Sequence, residues 1–261
     1  MTAFPPTPER PYVLVRRPAK TLSDGIVTFR EREELDLALA DAQWLEYVSV
    51  FADRGWGVVE VPFADELPDS VFIEDTVVVF GGLAVVTNPG APARNAETDE
   101  VLPVVRDCGF EVVKITSPGT LDGGDVLKVG STVYVGRTGT TNAEGIRQLA
   151  AFVEPHGYRV QEVPVTKALH LKSAITALPD GTVIGYGPVV DDPSLFADYL
   201  EVPEEPGAHV VVLGDNEVLM SAGAPRSAQL FRDRGLKVIE ADVTEFEKLE
   251  GCVTCLSVRV R

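Results

Sequence analysis

Apolar and polar positions alternate along this chain in short blocks. Each block is an apolar run of strand length, bounded by polar or Gly-containing turns and set next to an amphipathic stretch of helix length. One unit recurs: a polar start, an apolar run, a Gly-containing turn, a second apolar run, a helix and a closing run. The clearest copies are DTVVVFGGLAVV, from Asp75 to Val86, and DVLKVGSTVYV, from Asp125 to Val135, closed by FEVVKI and YRVQEV. A third copy starts at His170 with KSAITALPDGTVIGYG, with a helix expected around Pro193 to Leu200 and a closing run from His209 to Leu213. A fourth is short: Asn216 to Ala222, a helix over Arg226 to Gly235, and LKVIEA.

The fifth unit draws on both ends of the chain. Its first strand is CLSVRV, from Cys255 to Val260, and its second is YVLV, from Tyr12 to Val15. The helix expected over Glu33 to Asp53 carries Leu35, Leu39, Ala42, Leu45, Val48 and Phe51 on one predicted buried stripe. A last strand that completes the first repeat predicts a closed ring of units, an arrangement that leaves few exposed sheet edges. The expected fold is therefore α/β, a ring of repeated units spanning residues 1–261 as a single domain. An ordinary doubly wound sheet is the competing prediction, since it also alternates strands with helices.

Composition narrows the partners. Forty acidic against 23 basic residues give a formal charge of −17. Nucleic acid and anionic membrane surfaces are disfavoured as partners, and a small cation is favoured. No apolar run reaches the length of a spanning helix, and the opening MTAFPPTPERP lacks the basic-then-apolar order of a secretory signal, so a cytoplasmic protein is expected. The pattern leaves monomer and homodimer equally open. Three cysteines, Cys108, Cys252 and Cys255, cannot make a disulfide framework.

If the helices lie outside, the polar starts face the ring axis. Glu74-Asp75, Asp122 with Asp125, His170, Asp215-Asn216 and Cys255 are then expected to converge. A thiol, an imidazole and several carboxylates are the parts needed for covalent attack, proton transfer and holding a cation. Singly each has an ordinary explanation: an Asp in a turn serves turn geometry, and a Cys in an apolar run is a small core residue.

The segments PDSVFIEDTVVVF, TNPGAPAR, TLDGGDVL, VGRTGTTN, ALHLKSAITAL and EKLEGCVTCLSV resemble, in order and spacing, the motifs of the dimethylarginine dimethylaminohydrolases of the pentein superfamily. The resemblance runs from about Pro11 to the last strand. It implies a five-bladed α/β propeller of ββαβ units, and a hydrolase cleaving a guanidine C–N bond of N-omega-methylated arginine to citrulline through a covalent thiouronium, with no cofactor and no metal. It implies Cys255 as nucleophile, His170 as general acid and base, and Asp122 as the carboxylate partnering that histidine. Asp69 and Asp75 correspond to the acids that clamp the guanidinium, with Glu74 beside them. Arg94 corresponds to a residue binding the substrate α-carboxylate, Leu249 to a backbone contact, and Leu22 to the lid loop.

One position departs from the pattern: Thr140 stands where the family carries a second carboxylate-binding Arg, and Arg137 is the expected substitute. Losing such a contact costs about 1.5 to 3 kcal/mol, which leaves open a guanidine with a different tail. A deiminase acting on arginine itself and a non-catalytic guanidine-binding module are the other readings. The Cys252/Cys255 C-x-x-C pair lacks the second pair a zinc site needs and the helix start of a redox motif, so Cys252 is expected to be packing.

Overall fold

The computed structural model describes residues 10–261; most of the opening segment read for a signal lies outside the described residues. The chain opens with β1 (Tyr12–Val15), α1 (Leu37–Ala52) and β2 (Gly57–Glu60). β3 (Val77–Phe80) and β4 (Leu83–Val86) form an antiparallel hairpin, and α2 (Glu97–Asp107) carries the chain to β5 (Glu111–Lys114), parallel to β4. The pattern repeats in β6 (Val126–Val129), β7 (Thr132–Arg137), α3 (Ala143–Val153) and β8 (Arg159–Pro164). A single helical turn, α4 (Leu171–Ala174), enters β9 (Ile175–Ala177), β10 (Val183–Gly185) and β11 (Tyr199–Glu201). Next come β12 (Val210–Gly214), β13 (Glu217–Ser221), α5 (Pro225–Asp233) and β14 (Lys237–Ala241). A further turn, α6 (Thr244–Glu247), leads to β15 (Val258–Val260).

The sheets are β15-β1-β2, β3-β4-β5, β6-β7-β8, β9-β10-β11 and β12-β13-β14. In the first, β15 lies antiparallel to β1 and β2 parallel to it, so the two ends of the chain do build one unit.

Among the described residues no strand ladder joins one of these sheets to another, and beyond an isolated bridge between Asn88 and Leu121 it is packing that joins them. Successive side chains on a strand point to opposite faces, and here both faces are buried. On β3, Val77 and Val79 enter the core shared with β1 and β15, whereas Val78 and Phe80 enter the core shared with β6 and β7. On β6, Val126 joins that second core, and Leu127 turns to the core under β9 and β10. Ile184 and Val210 meet in a fourth core. Val211, Leu213 and Leu219 then pack with Val13, Val15 and α1 in a fifth. Five cores thus lie between five successive pairs of sheets, and the last returns to the first.

Three expectations are corrected. The helix expected over Pro193 to Leu200 is only a 3-10 turn at Pro193–Leu195, because Pro193 permits a first turn and the chain then enters β11. The run from His209 opens the sheet β12-β13-β14 and does not close the unit that starts at His170, since β11 already closes that one. The buried face of α1 is Ala40, Gln43, Trp44, Tyr47, Val50 and Phe51, while Leu39 and Leu45 are exposed. Both series have helical spacing, and the aromatic residues bury more surface than the leucines they displace.

This face assignment can be measured. Trp44→Ala should lower unfolding free energy by about 3–5 kcal/mol, and Leu45→Ala by no more than about 0.5 kcal/mol. Equal losses in urea denaturation would restore the leucine stripe.

Candidate active site

Each sheet is entered through a tight turn just before its first strand: Ile73–Thr76, Gly123–Asp125, Leu171–Ala174, Glu205–Ala208, and the turn after Cys252. Turns cannot pair all their own backbone groups, so side chains and neighbouring turns complete them. Glu74 N donates to Cys255 O at 3.2 Å, Gly124 N to Asp75 Oδ1 at 2.8 Å, and Leu171 N to Asp125 Oδ1 at 2.8 Å. These bonds lock four of the five turns against one another.

A cavity of about 160 Å3 opens on them, lined by Asp69, Asp75, Arg94, Asp122, His170, Leu249 and Cys255 among others. Seven of the nine expected site residues therefore meet. Glu74 does not: its carboxylate turns the other way, onto Lys172 and Arg259 at 2.6 Å each. Adjacent residues on such a turn point to opposite sides, which separates it from Asp75. Leu22 also stays out. It is fully buried in the core, and the following residues Ile26 and Thr28 line the cavity instead. Asp215-Asn216 is the tip of the β12-β13 hairpin, so the polar start of that unit is Glu205–Ala208.

His170 Nε2 lies 3.0 Å from Asp122 Oδ2, and its Nδ1 lies 3.9 Å from Asp75 Oδ1. Burial pulls the imidazole down, but Asp75, Asp122 and Asp125 outweigh it and hold it up at about 10. Its protonated form therefore stabilises the fold fully below its usual 6.5, and that contribution is lost as pH rises through about 10. Burial raises Asp125 to about 6. Gly124 is required here because a Cβ would sit 2.7 Å from both Asp75 Oδ1 and His170 Nδ1.

Arg94 is fixed from two sides. Its Nε and Nη2 reach Glu97 at 2.9 and 2.8 Å, its Nη1 reaches Asp75 Oδ2 at 2.7 Å, and Nη2 also donates to the carbonyls of Asp69 and Phe72. Of its five N–H groups, one on Nη1 is left for another acceptor. Asp69 accepts Ile26 N at 3.1 Å, and Glu250 accepts Thr28 N at 3.1 Å and Phe29 N, so two carboxylates hold the loop over the cavity. Glu97 and Glu250 were not singled out from sequence, where each is one acid among many.

Cys255 sits in a turn, not in the strand expected from CLSVRV: Cys255 N donates to Cys252 O at 3.0 Å, and β15 begins only at Val258. Cys252 packs in the core as expected, and its Sγ also lies 3.4 Å from that of Cys255. Either sulfur can donate to the other. The contact with Cys255 eases ionisation at Cys252 to about 5, and the same contact, with burial, pushes Cys255 up. Arg137 points away to Glu162, 3.2 Å off on the surface, so it does not stand in for the residue missing at Thr140, which does line the cavity.

Among the described residues, ligand atoms of Asp75, Asp122 and His170 fall within 4.8 Å of one another. They fit a metal poorly. A protonated imidazole has no free lone pair, and both carboxylates are engaged by Arg94, Gly124 and Gly90.

Two measurements test this geometry. Asp122→Asn should lower the His170 midpoint, followed by NMR of the ring, by about one to two pH units, because a charge-assisted hydrogen bond contributes roughly 1.5–3 kcal/mol; an unmoved midpoint would contradict the pairing. Alkylation of Cys255 by iodoacetamide should still be rising at about pH 9 in the intact pair and level off at lower pH in Cys252→Ala, which loses the contact that holds the Cys255 proton. Identical profiles would uncouple the two thiols.

No family model matches the chain. A dimethylarginine dimethylaminohydrolase of Streptomyces coelicolor is 58% identical over 248 residues, covering 95% of this chain and 96% of that one. The enzyme of that name from Pseudomonas aeruginosa is 35% identical, covering 95% and 98%. The Pseudomonas aeruginosa structure, a cysteine-to-serine variant complexed with citrulline, superposes with a TM-score of 0.88 at 33% identity, covering 95% and 98%. The N-terminal domain of a cyanobacterial arginine dihydrolase gives a TM-score of 0.87 at 19% identity over 97% and 98%, a likeness of fold alone. With identity this high over nearly its whole length, the chain belongs to the dimethylarginine dimethylaminohydrolase family.

Proposed function

We propose that the chain, as one catalytic domain, hydrolyses N-omega-methylated arginine to citrulline and an alkylamine. The observation that carries this reading is the meeting of Cys255, His170, Asp122, Asp69 and Asp75 on one cavity. The names of the relatives and the citrulline-bound neighbour point to the same substrate.

A guanidinium is a planar cation and a poor electrophile, so its attack needs a strong nucleophile and a site that holds charge and orientation. The acids Asp69 and Asp75 supply the charge. The bound cation favours the thiolate at Cys255, whose proton, held there by the partner sulfur and by burial, passes to Cys252 Sγ 3.4 Å away. In the first step the Cys255 sulfur bonds to the guanidinium carbon, protonated His170 gives its proton to the departing amine, and that C–N bond breaks. The thiouronium left behind keeps the positive charge. In the second step neutral His170 takes one proton from water as the oxygen bonds to the same carbon, the C–S bond breaks while the remaining hydroxyl proton passes to solvent, where the released amine takes it up, and citrulline leaves with the thiolate restored. Asp122 keeps the imidazole oriented and charged between turnovers.

Recognition of the amino-acid tail is weaker than the family pattern implies. Arg94 has one free N–H, Arg137 faces away, and Thr140 offers a hydroxyl in place of a guanidinium. This favours, as a second reading, a guanidine without an α-carboxylate.

Dimethylarginine, monomethylarginine, arginine and agmatine, assayed for ureido product by mass spectrometry, separate the readings. Methylated arginines should be turned over fastest; exclusive use of arginine would make the protein a deiminase, and no product from any would make it a binding module. Cys255→Ser should lower turnover by several orders of magnitude without loss of fold. Thr140→Arg should lower KM for amino-acid substrates about ten- to a hundredfold and leave agmatine unchanged.

A further inference from the structure

The turns that line the reaction cavity have a second side. Glu74, Gly123, Lys172 and Thr254 line another, larger cavity of about 410 Å3, while their chain neighbours Asp75, Asp122 and Cys255 line the first. The two share no lining residue. This one is within the size range of small-molecule sites, and its charge is reversed.

Four cations face it: Lys128, Lys172, Arg259 and Arg261. One carboxylate, Glu74, faces them. Its Oε1 takes both Lys172 and Arg259 at 2.6 Å, and its Oε2 is buried with no partner among the described residues. Among the described residues Lys128 has no acid within ion-pair distance, and Glu74 acts on it only from farther off. Its ammonium donates to Val79 O and lies 5.2 Å above the Phe80 ring. Burial and the neighbouring Arg259, Lys172 and Arg261 push Lys128 down to about 7. In a chain with a formal charge of −17, these cations have abundant acid elsewhere to pair with, yet they are gathered where only one carboxylate reaches them. Uncompensated charge away from bulk water is costly unless a counter-charge joins it.

We propose that this second cavity is a binding site for a small oxyanion carrying two or three negative charges, a polyphosphate or polycarboxylate. Lys128 and Arg261 are its cations without an ion pair among the described residues, and Lys172 and Arg259 form its floor, held in place by Glu74. Planar guanidinium groups suit bidentate oxyanion contacts, and the lysines add point charge.

Calorimetry and thermal unfolding of the full chain with inorganic pyrophosphate and with citrate, at ionic strength matched with sodium chloride, test the assignment. A saturable rise in Tm is expected with one probe at least, and which probe gives the tighter Kd identifies the phosphate or the carboxylate class. Lys128→Met should weaken binding at least tenfold. It should also keep its fold, because it removes a repelled cation and retains the apolar stem. Arg261→Ala should weaken binding while Cys255→Ala should not, since that sulfur faces the other cavity. Absence of saturable binding would overturn the proposal, as would an affinity unchanged in Lys128→Met or lost in Cys255→Ala.

Discussion

Buried carboxylates around two cations are the constraint on which the rest of this structure turns. Asp69, Asp75, Glu97, Asp122 and Asp125 are all buried beside Arg94 and His170. Five acids against two cations would not remain ionised in a low-dielectric interior without compensation. Part of the compensation is visible as shifted titration: burial raises Asp69, Glu97 and Asp125, the last to about 6, and the acids hold His170 near 10. Part comes from backbone N–H groups of Ile26, Gly90, Gly124 and Leu171. What remains is a site short of positive charge, which a guanidinium supplies.

The fold makes that arrangement possible. The wholly apolar, buried strands β3, β4 and β10 leave no room for charge, and the acids and the imidazole of the reaction cavity sit on turns and loops outside the strands. Five sheets packed in a cycle bring those turns together, and mutual hydrogen bonds hold four of them against one another, the positioning that covalent catalysis requires. The same turns present alternate residues to opposite sides, which yields an acidic cavity on one side and a basic one on the other.

Much of this was legible in the sequence. The paired runs at Asp75 and Asp125 carry strand periodicity and a common start, and the split unit followed from an unpartnered strand at each end. The meeting of Cys255, His170, Asp122 and Asp75 followed from their recurrence at one place in each unit. Other features are set by contacts that periodicity does not encode. The buried face of α1 depends on what α1 packs against, and two stripes of equal spacing competed for it. Asp215-Asn216 fell on a hairpin tip because the third unit closes with β11, a three-residue strand too short to register as an apolar run. Glu74 and Asp75 are neighbours in sequence and face different cavities, a difference of one turn residue. The sulfur contact between Cys252 and Cys255 depends on a turn where the apolar pattern implied a strand.

Chemistry at Cys255 is the centre of this account, and intact-protein mass spectrometry of the enzyme quenched in acid during turnover of dimethylarginine reaches it most directly. The account predicts a covalent adduct of the mass of the substrate less its amine, mapped by peptide digestion to Cys255. Citrulline formed at full rate with no adduct, or with the adduct on Cys252, would contradict it.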